Sequence, residues 1–315
     1  MMPSTRGDGR RPNMVRTGGL KYRGISCRTR KRYEQQLRRF FEHLTRHEIP
    51  IPSSFRQLDE TLANYIDHMF LEGEPVGYAG DAISAISRFY PNARVRIPVT
   101  RLWFRNWQRE VVRVRALPIP SAVCQGMAGI ALAMGRSDLA ALLPLAFLCM
   151  LRTSEIVGVS AGDITFSPFG TSAIIRLPTT KTSGPNTEEV VLEDSMVVGA
   201  LKVACQGVGR SEPLYSKKPT WLGEDLRWLG RLVGFQHKRF TPYSLRRGGA
   251  TWHFHKYGSL SKTSVDGRWK HERTAKIYID GAAAEWASWQ FSDNGSRMLR
   301  RGARAYRQRF SCARS

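Results

Sequence analysis

Apolar residues recur along this chain at helical rather than strand spacing. Tyr33, Leu37, Phe40, Phe41 and Leu44 form one stripe of a helix opening near Thr29, and Arg30, Lys31, Arg32, Arg38 and Arg39 occupy its other face. Leu58, Leu62, Tyr65, Ile66 and Met69 mark a second helix over 58–71; a third is predicted over 78–89 and a fourth over 102–114. Pro98 and the LPIP run at 117–120 then punctuate the chain and predict a boundary near 112–120. Two strongly apolar helices follow, over 121–134 and 137–157, with Gly135 ending the first and Ser137 and Asp138 starting the second. Only 172–177 and 189–192 read as strands, joined by the polar loop PTTKTSGPNTE, and helical patterns return from about Asp194. The fold class is therefore mainly α with a small β-sheet: an N-terminal helical bundle, then an α+β domain.

Composition adds a partner class. The chain has 315 residues and a formal charge of +23, which favours a polyanion. Residues 1–40 hold twelve Lys/Arg against two acids, and residues 297–315 hold seven Arg and no acid. The two ends thus carry +17 of the total and read as basic tails, which bind phosphate backbones through counterion release or serve only solubility or targeting. The expected organisation is a flexible basic tail over 1–27, a helical domain over 28–115, an α+β domain over 118–296 and a basic C-terminal tail over 297–315, whose Arg-rich end reads either as a helix or as a disordered DNA-binding tail. Five cysteines, scattered and never spaced CxxC, indicate a reducing compartment rather than disulfides or zinc. The longest apolar run is too short to span a bilayer, and the basic N-terminus lacks the apolar core of a secretory signal. These features point to a soluble intracellular protein without a membrane.

Chemistry-bearing residues are scattered through the second domain. The segment LPLAFLCMLRTSEIVGVSAGDI ends an apolar helix on Arg152 with Glu155 three residues on; RLPTTKTSGPNTEEVVL carries Lys181 between two threonines. TPYSLRRGGAT holds Tyr243, Arg246 and Arg247 before small residues, and DGRWKHERTAKIYI places Trp269 nine residues before Tyr278. Each has an ordinary explanation. Arg152 and Glu155 suit an i,i+3 ion pair, Lys181 a solvated loop, and Trp269 and Tyr278 the apolar face of a helix. No nucleotide-binding or acidic metal motif accompanies them, the Trp252-His-Phe-His255 run brings only two metal-capable side chains, and Glu188, Glu189, Glu193 and Asp194 read as solvent-facing.

In this order the four segments resemble the boxes of the tyrosine recombinase (phage integrase) family, and the SLRRGGAT and GRW variants suit a eukaryotic mobile element. The resemblance implies a site-specific recombinase that cuts and rejoins double-stranded DNA through a covalent 3′-phosphotyrosine, without cofactor or metal. Arg152 and Arg246 would clamp the scissile phosphate, Lys181 would protonate the leaving oxygen, Tyr243 and Trp269 would donate hydrogen bonds, and Tyr278 would attack. Glu155 would orient Arg152; Arg247 would meet DNA backbone or an acid; Arg30, Lys31 and Arg38 on the first helix would meet DNA backbone. The helical domain would bind DNA, a tetramer would assemble on two duplexes, and the protein would reside with DNA, in the nucleus or the nucleoid. The pattern departs at one position: Tyr243 stands where the family has His. A Tyr, whose pKa is near 10, donates a hydrogen bond but is a poor base at neutral pH. That departure keeps open a catalytically degenerate, DNA-binding relative.

Overall fold

The computed structural model describes residues 24–112, 115–178, 188–235 and 240–311. The chain divides into two compact units, one ending at Val114 and the other beginning at Arg115. It has the mainly helical architecture with one small sheet that the periodicity predicts.

The first unit comprises α1 (Cys27–Arg46), α2 (Phe55–Leu71), α3 (Val76–Phe89) and α4 (Pro98–Glu110). Ser26 and Ser54 cap the first two helices by accepting hydrogen bonds from the amides of Thr29 and Gln57. Their apolar stripes meet in a core containing Phe40, Leu44, Leu62, Ile66, Ile83 and Trp107. Phe41, predicted to lie on the stripe, is exposed, and Gln36 is buried instead. Asp59 of α2 closes the start of α4, accepting from the amides of Val99 (3.0 Å) and Thr100 (2.8 Å). On α1, Arg32 pairs with Asp81 and Arg39 with Glu74, whereas Lys31 and Arg38 are exposed.

The second unit opens with α5 (Ser121–Ala133) and α6 (Ser137–Leu148). Nearly every side chain of α6 is buried, as expected of a helix apolar all round. The single helix predicted over 137–157 is in fact two, because the chain turns at Cys149–Leu151 with Met150 at φ +48° before α7 (Thr153–Gly158). The sheet is antiparallel in the order β1 (Ile164–Phe166), β2 (Ala173–Arg176), β3 (Glu189–Leu192), with Ile164 opposite Ile175 and Ala173 opposite Leu192. β1 was not predicted, being three residues long and preceded by turn-forming AGD. Then come α8 (Ser195–Cys205), α9 (Leu222–Leu232), α10 (Pro242–Tyr257), α11 (Leu260–Asp266), α12 (Glu272–Lys276), α13 (Gly281–Ser288) and α14 (Asp293–Ser311).

Of the two readings of the Arg-rich end, the structure shows the helix, which forms the body of α14 from 297 as far as Ser311. Leu299, Ala303, Tyr306 and Phe310 are buried, and the arginines between them are exposed. The helix approaches α5 backbone to backbone: a Cβ on Gly129 would lie 1.9 Å from the Gly302 carbonyl oxygen. Among the described residues no helix is long and apolar enough to cross a membrane.

Gly129→Ala is therefore expected to destabilise the second unit by about 1–3 kcal/mol through overpacking, a fall in melting temperature of roughly 2–10 °C by calorimetry. A matched Arg304→Ala change, on the exposed face of the same helix, should leave the melt unchanged.

Candidate active site

The break after α6 organises the site. A helix ends with carbonyls that have no partner within it and with partial negative charge. Here two arginines supply the partners. Arg246 donates Nη1 to the Met150 carbonyl and Nη2 to that of Gly267 (2.8 Å), and Arg268 donates Nη1 to the Cys149 carbonyl (3.0 Å). Because the chain leaves the turn extended, Arg152 falls at the N-cap of α7 and Glu155 in its first turn.

Arg246 reaches this position from α10, which opens at Thr241 and Pro242 and packs against α6. The fit requires glycine, since a Cβ on Gly249 would lie 1.9 Å from the Phe147 carbonyl oxygen. The guanidinium of Arg246 is 2 % exposed and stacks 4.5 Å from the Trp269 ring centre and 5.5 Å from that of Tyr278. Tyr278 sits between two aromatic neighbours, 4.7 Å from Trp269 and 5.2 Å from Tyr243 by ring centres. Its backbone is latched to α10: Thr251 Oγ1 donates to the Tyr278 carbonyl (3.3 Å) and accepts from the Asp280 amide (3.1 Å).

Glu155 is fully buried between two cations. Its carboxylate lies 2.5 Å from Arg152 Nη1 and 2.7 Å from Arg268 Nη2, and also accepts from the Arg152 amide at 2.8 Å. Burial opposes its charge, but Arg268 and Arg152 outweigh that and hold its carboxyl below the usual range. Arg152 is raised in return, the Glu155 bond overcoming burial. Arg246 moves the other way, down to about 10, first through burial and then through the positive charges of Arg152 and Arg268. Burial, then the neighbouring Tyr278 hydroxyl, raises Tyr243, so this phenol stays protonated.

Six residues singled out in the sequence thus come together: Arg152, Glu155, Tyr243, Arg246, Trp269 and Tyr278. Lys181 lies outside the described residues. On either side of the segment that holds it, the Leu177 amide donates to the Glu188 carbonyl (2.8 Å). Arg30, Lys31 and Arg38 belong to α1 of the other unit. Arg247, expected at DNA backbone or an acid, has the acid: it is 2 % exposed, donates to the Ala116 carbonyl and lies 3.2 Å from Asp280. Of the two partners expected for Arg247, the structure shows the acid.

Two contributors escaped sequence reasoning. Arg268 sat unremarked inside GRW, and its left-handed backbone (φ +58°) carries no sequence signature in a non-glycine residue. Glu188, read as solvent-facing, instead lies 3.4 Å from Arg152 and 3.2 Å from Arg268. His253 has both ring nitrogens engaged, with Thr263 (2.9 Å) and Asp266 (2.8 Å), and ties α10 to α11. The indole Nε1 of Trp269 is buried without a hydrogen-bond partner. The cluster thus gathers three guanidiniums, an indole N–H without a hydrogen-bond partner and two adjacent phenols, a set of donors chemically suited to the oxygens of a tetrahedral anion.

Comparison with known proteins places this geometry in a fold. No protein-family model matches the sequence, and no curated protein does either. Solved structures do match. A lambda integrase dimer bound to a COC′ core site is 16 % identical, with 85 % of this chain and 93 % of that one covered at a TM-score of 0.58. The XerH site-specific recombinase in its post-cleavage complex with a palindromic difH substrate is 14 % identical over 82 % and 78 %, TM-score 0.56. The Tn1549 transposon integrase with transposon right-end DNA is 14 % identical over 84 % and 93 %, TM-score 0.55. The chain has the fold of the tyrosine recombinases and integrases.

Removing the buried carboxylate tests the electrostatic frame. Glu155→Gln leaves Arg152 and Arg268 with only the partly exposed Glu188 as a carboxylate partner and should cost about 3 kcal/mol at neutral pH by denaturant unfolding. Because the folded carboxyl titrates below its ordinary 4.5, its contribution is complete above that value and is lost as pH falls through the folded pKa. The difference between wild type and variant should therefore shrink on acidification below pH 4.5.

Proposed function

We propose that the protein is a site-specific DNA recombinase or integrase that cuts and rejoins duplex DNA through a covalent 3′-phosphotyrosine. One observation supports this reading above the others: the Tyr278 ring lies against Arg246 and Trp269 in a cluster whose remaining polar groups suit a phosphate. The similarity in fold to recombinases and integrases solved with DNA supports it further.

In this reading Arg152 and Arg246 hold the non-bridging oxygens of the scissile phosphate, which competes with Glu188 for Arg152. Binding an anion restores to Arg246 the charge compensation that its burial lacks. The Trp269 indole N–H finds its partner in a phosphate oxygen. Tyr278 gives its phenolic proton to water, its oxygen attacks phosphorus, the bond to the 5′ oxygen breaks, and Lys181 gives that oxygen a proton. Tyr243, kept protonated beside Tyr278, donates to the phenolic oxygen as charge develops on it. One phosphodiester replaces another, so a 5′ hydroxyl attacking the phosphotyrosine reverses the step with no nucleotide hydrolysis. The helical first unit, with Lys31 and Arg38 exposed on α1, contributes DNA-backbone binding, and recombination of two duplexes requires a tetramer.

The test is a nicked suicide duplex carrying the cognate site, obtained by selection from random-sequence DNA. Wild-type protein should form a covalent adduct that Tyr278→Phe abolishes, and Tyr243→His should retain or raise the yield. Salt-sensitive binding to the selected site without any adduct would replace this reading with that of a DNA-binding protein that has lost cleavage.

A further inference from the structure

The first unit carries a cluster that the recombination chemistry does not use. His43 and His47 stand four residues apart on α1 and so share one face of that helix, and α2 brings His68 against them. Ring centres are 4.4 Å apart for His43 and His47, 4.8 Å for His43 and His68, and 5.5 Å for His47 and His68. One nitrogen from each ring falls within 4.8 Å of the others, and among the described residues no other group of three histidine, cysteine or acidic side chains does so. His47 is exposed, while His43 and His68 are half-buried.

We infer that His43, His47 and His68 form a binding site for a divalent transition-metal ion that clamps α1 to α2. Three imidazoles are the donor set of zinc, nickel, copper(II) or cobalt(II), not of magnesium or calcium, which take oxygen ligands. Tetrahedral zinc needs nitrogens about 2.0–2.1 Å from the ion, hence roughly 3.4 Å from one another. Closing from the observed spread requires a shift of about 1.5 Å at most, which side-chain rotation at exposed His47 and half-buried His68 can supply without moving the helices. Ligands must also be neutral. The exposed side at His47 leaves a fourth position to water. The clamp fixes the helix that carries Lys31 and Arg38, so metal occupancy would order this basic surface.

The experiment uses the full chain, free of any affinity tag and stripped with chelator, titrated with cobalt(II) by visible absorption and with zinc by calorimetry. One equivalent should bind, and cobalt should give the intense visible band of tetrahedral coordination. His47→Gln and His68→Gln should each weaken binding at least about tenfold. Zinc should raise the melting temperature of wild type but not of either variant. Failure of zinc and cobalt to saturate at one equivalent at micromolar concentrations would overturn the proposal. So would variants that bind as wild type does. If the three rings serve only to pack on Tyr65, 4.9 Å from His43, the substitutions will shift the melt in chelator and no stoichiometric metal will bind.

Discussion

Two peptide carbonyls at the end of α6, those of Cys149 and Met150, organise everything around them. An apolar helix buried on all sides must leave its last carbonyls without water, and a buried carbonyl needs a donor. Arg268 and Arg246 are those donors, and the turn that exposes the carbonyls also sets Arg152 and Glu155 on the next helix. Glu155 then neutralises part of the positive charge so gathered. What remains is uneven. Arg152 and Arg268 have carboxylate partners, while among the described residues none pairs with Arg246, whose hydrogen bonds go to carbonyls. A buried guanidinium compensated only by dipoles gains most when an anion arrives.

Tyr278 is held by separate means. Thr251 fixes the carbonyl of Tyr278 and the amide of Asp280, Arg247 holds the Asp280 side chain, and Asp280 caps α13. Arg246 and Arg247, adjacent in sequence, therefore point into different tasks: one faces the aromatic pair, the other braces the chain that carries it. This lattice fixes the backbone on both sides of Tyr278.

Most helices were legible because their apolar stripes are long and their caps conventional, as at Ser26 with Thr29 and Ser54 with Gln57. The break in 137–157 was hidden because LCML is as apolar as the helix before it. What ends the helix is a left-handed Met150 sustained by tertiary hydrogen bonds rather than by any local signal. α14 is ambiguous in sequence for the opposite reason: its arginines dominate composition, and only their spacing around Leu299, Ala303, Tyr306 and Phe310 reveals a packed face. In the site, the resemblance drew attention to Arg152, Arg246, Trp269 and Tyr278. Arg268 and Glu188 emerge only in three dimensions, since their partners lie on distant segments.

The central claim is that Tyr278, rather than its ring neighbour Tyr243, attacks the phosphate. Tryptic digestion separates the two: Tyr278 is the only tyrosine between Lys276 and Arg297, and Tyr243 the only one between Arg239 and Arg246. Mass spectrometry of the nuclease-trimmed DNA adduct should find the phosphonucleotide on the 277–297 peptide. The same mass on the 240–246 peptide would contradict the assignment and make Tyr243 the nucleophile.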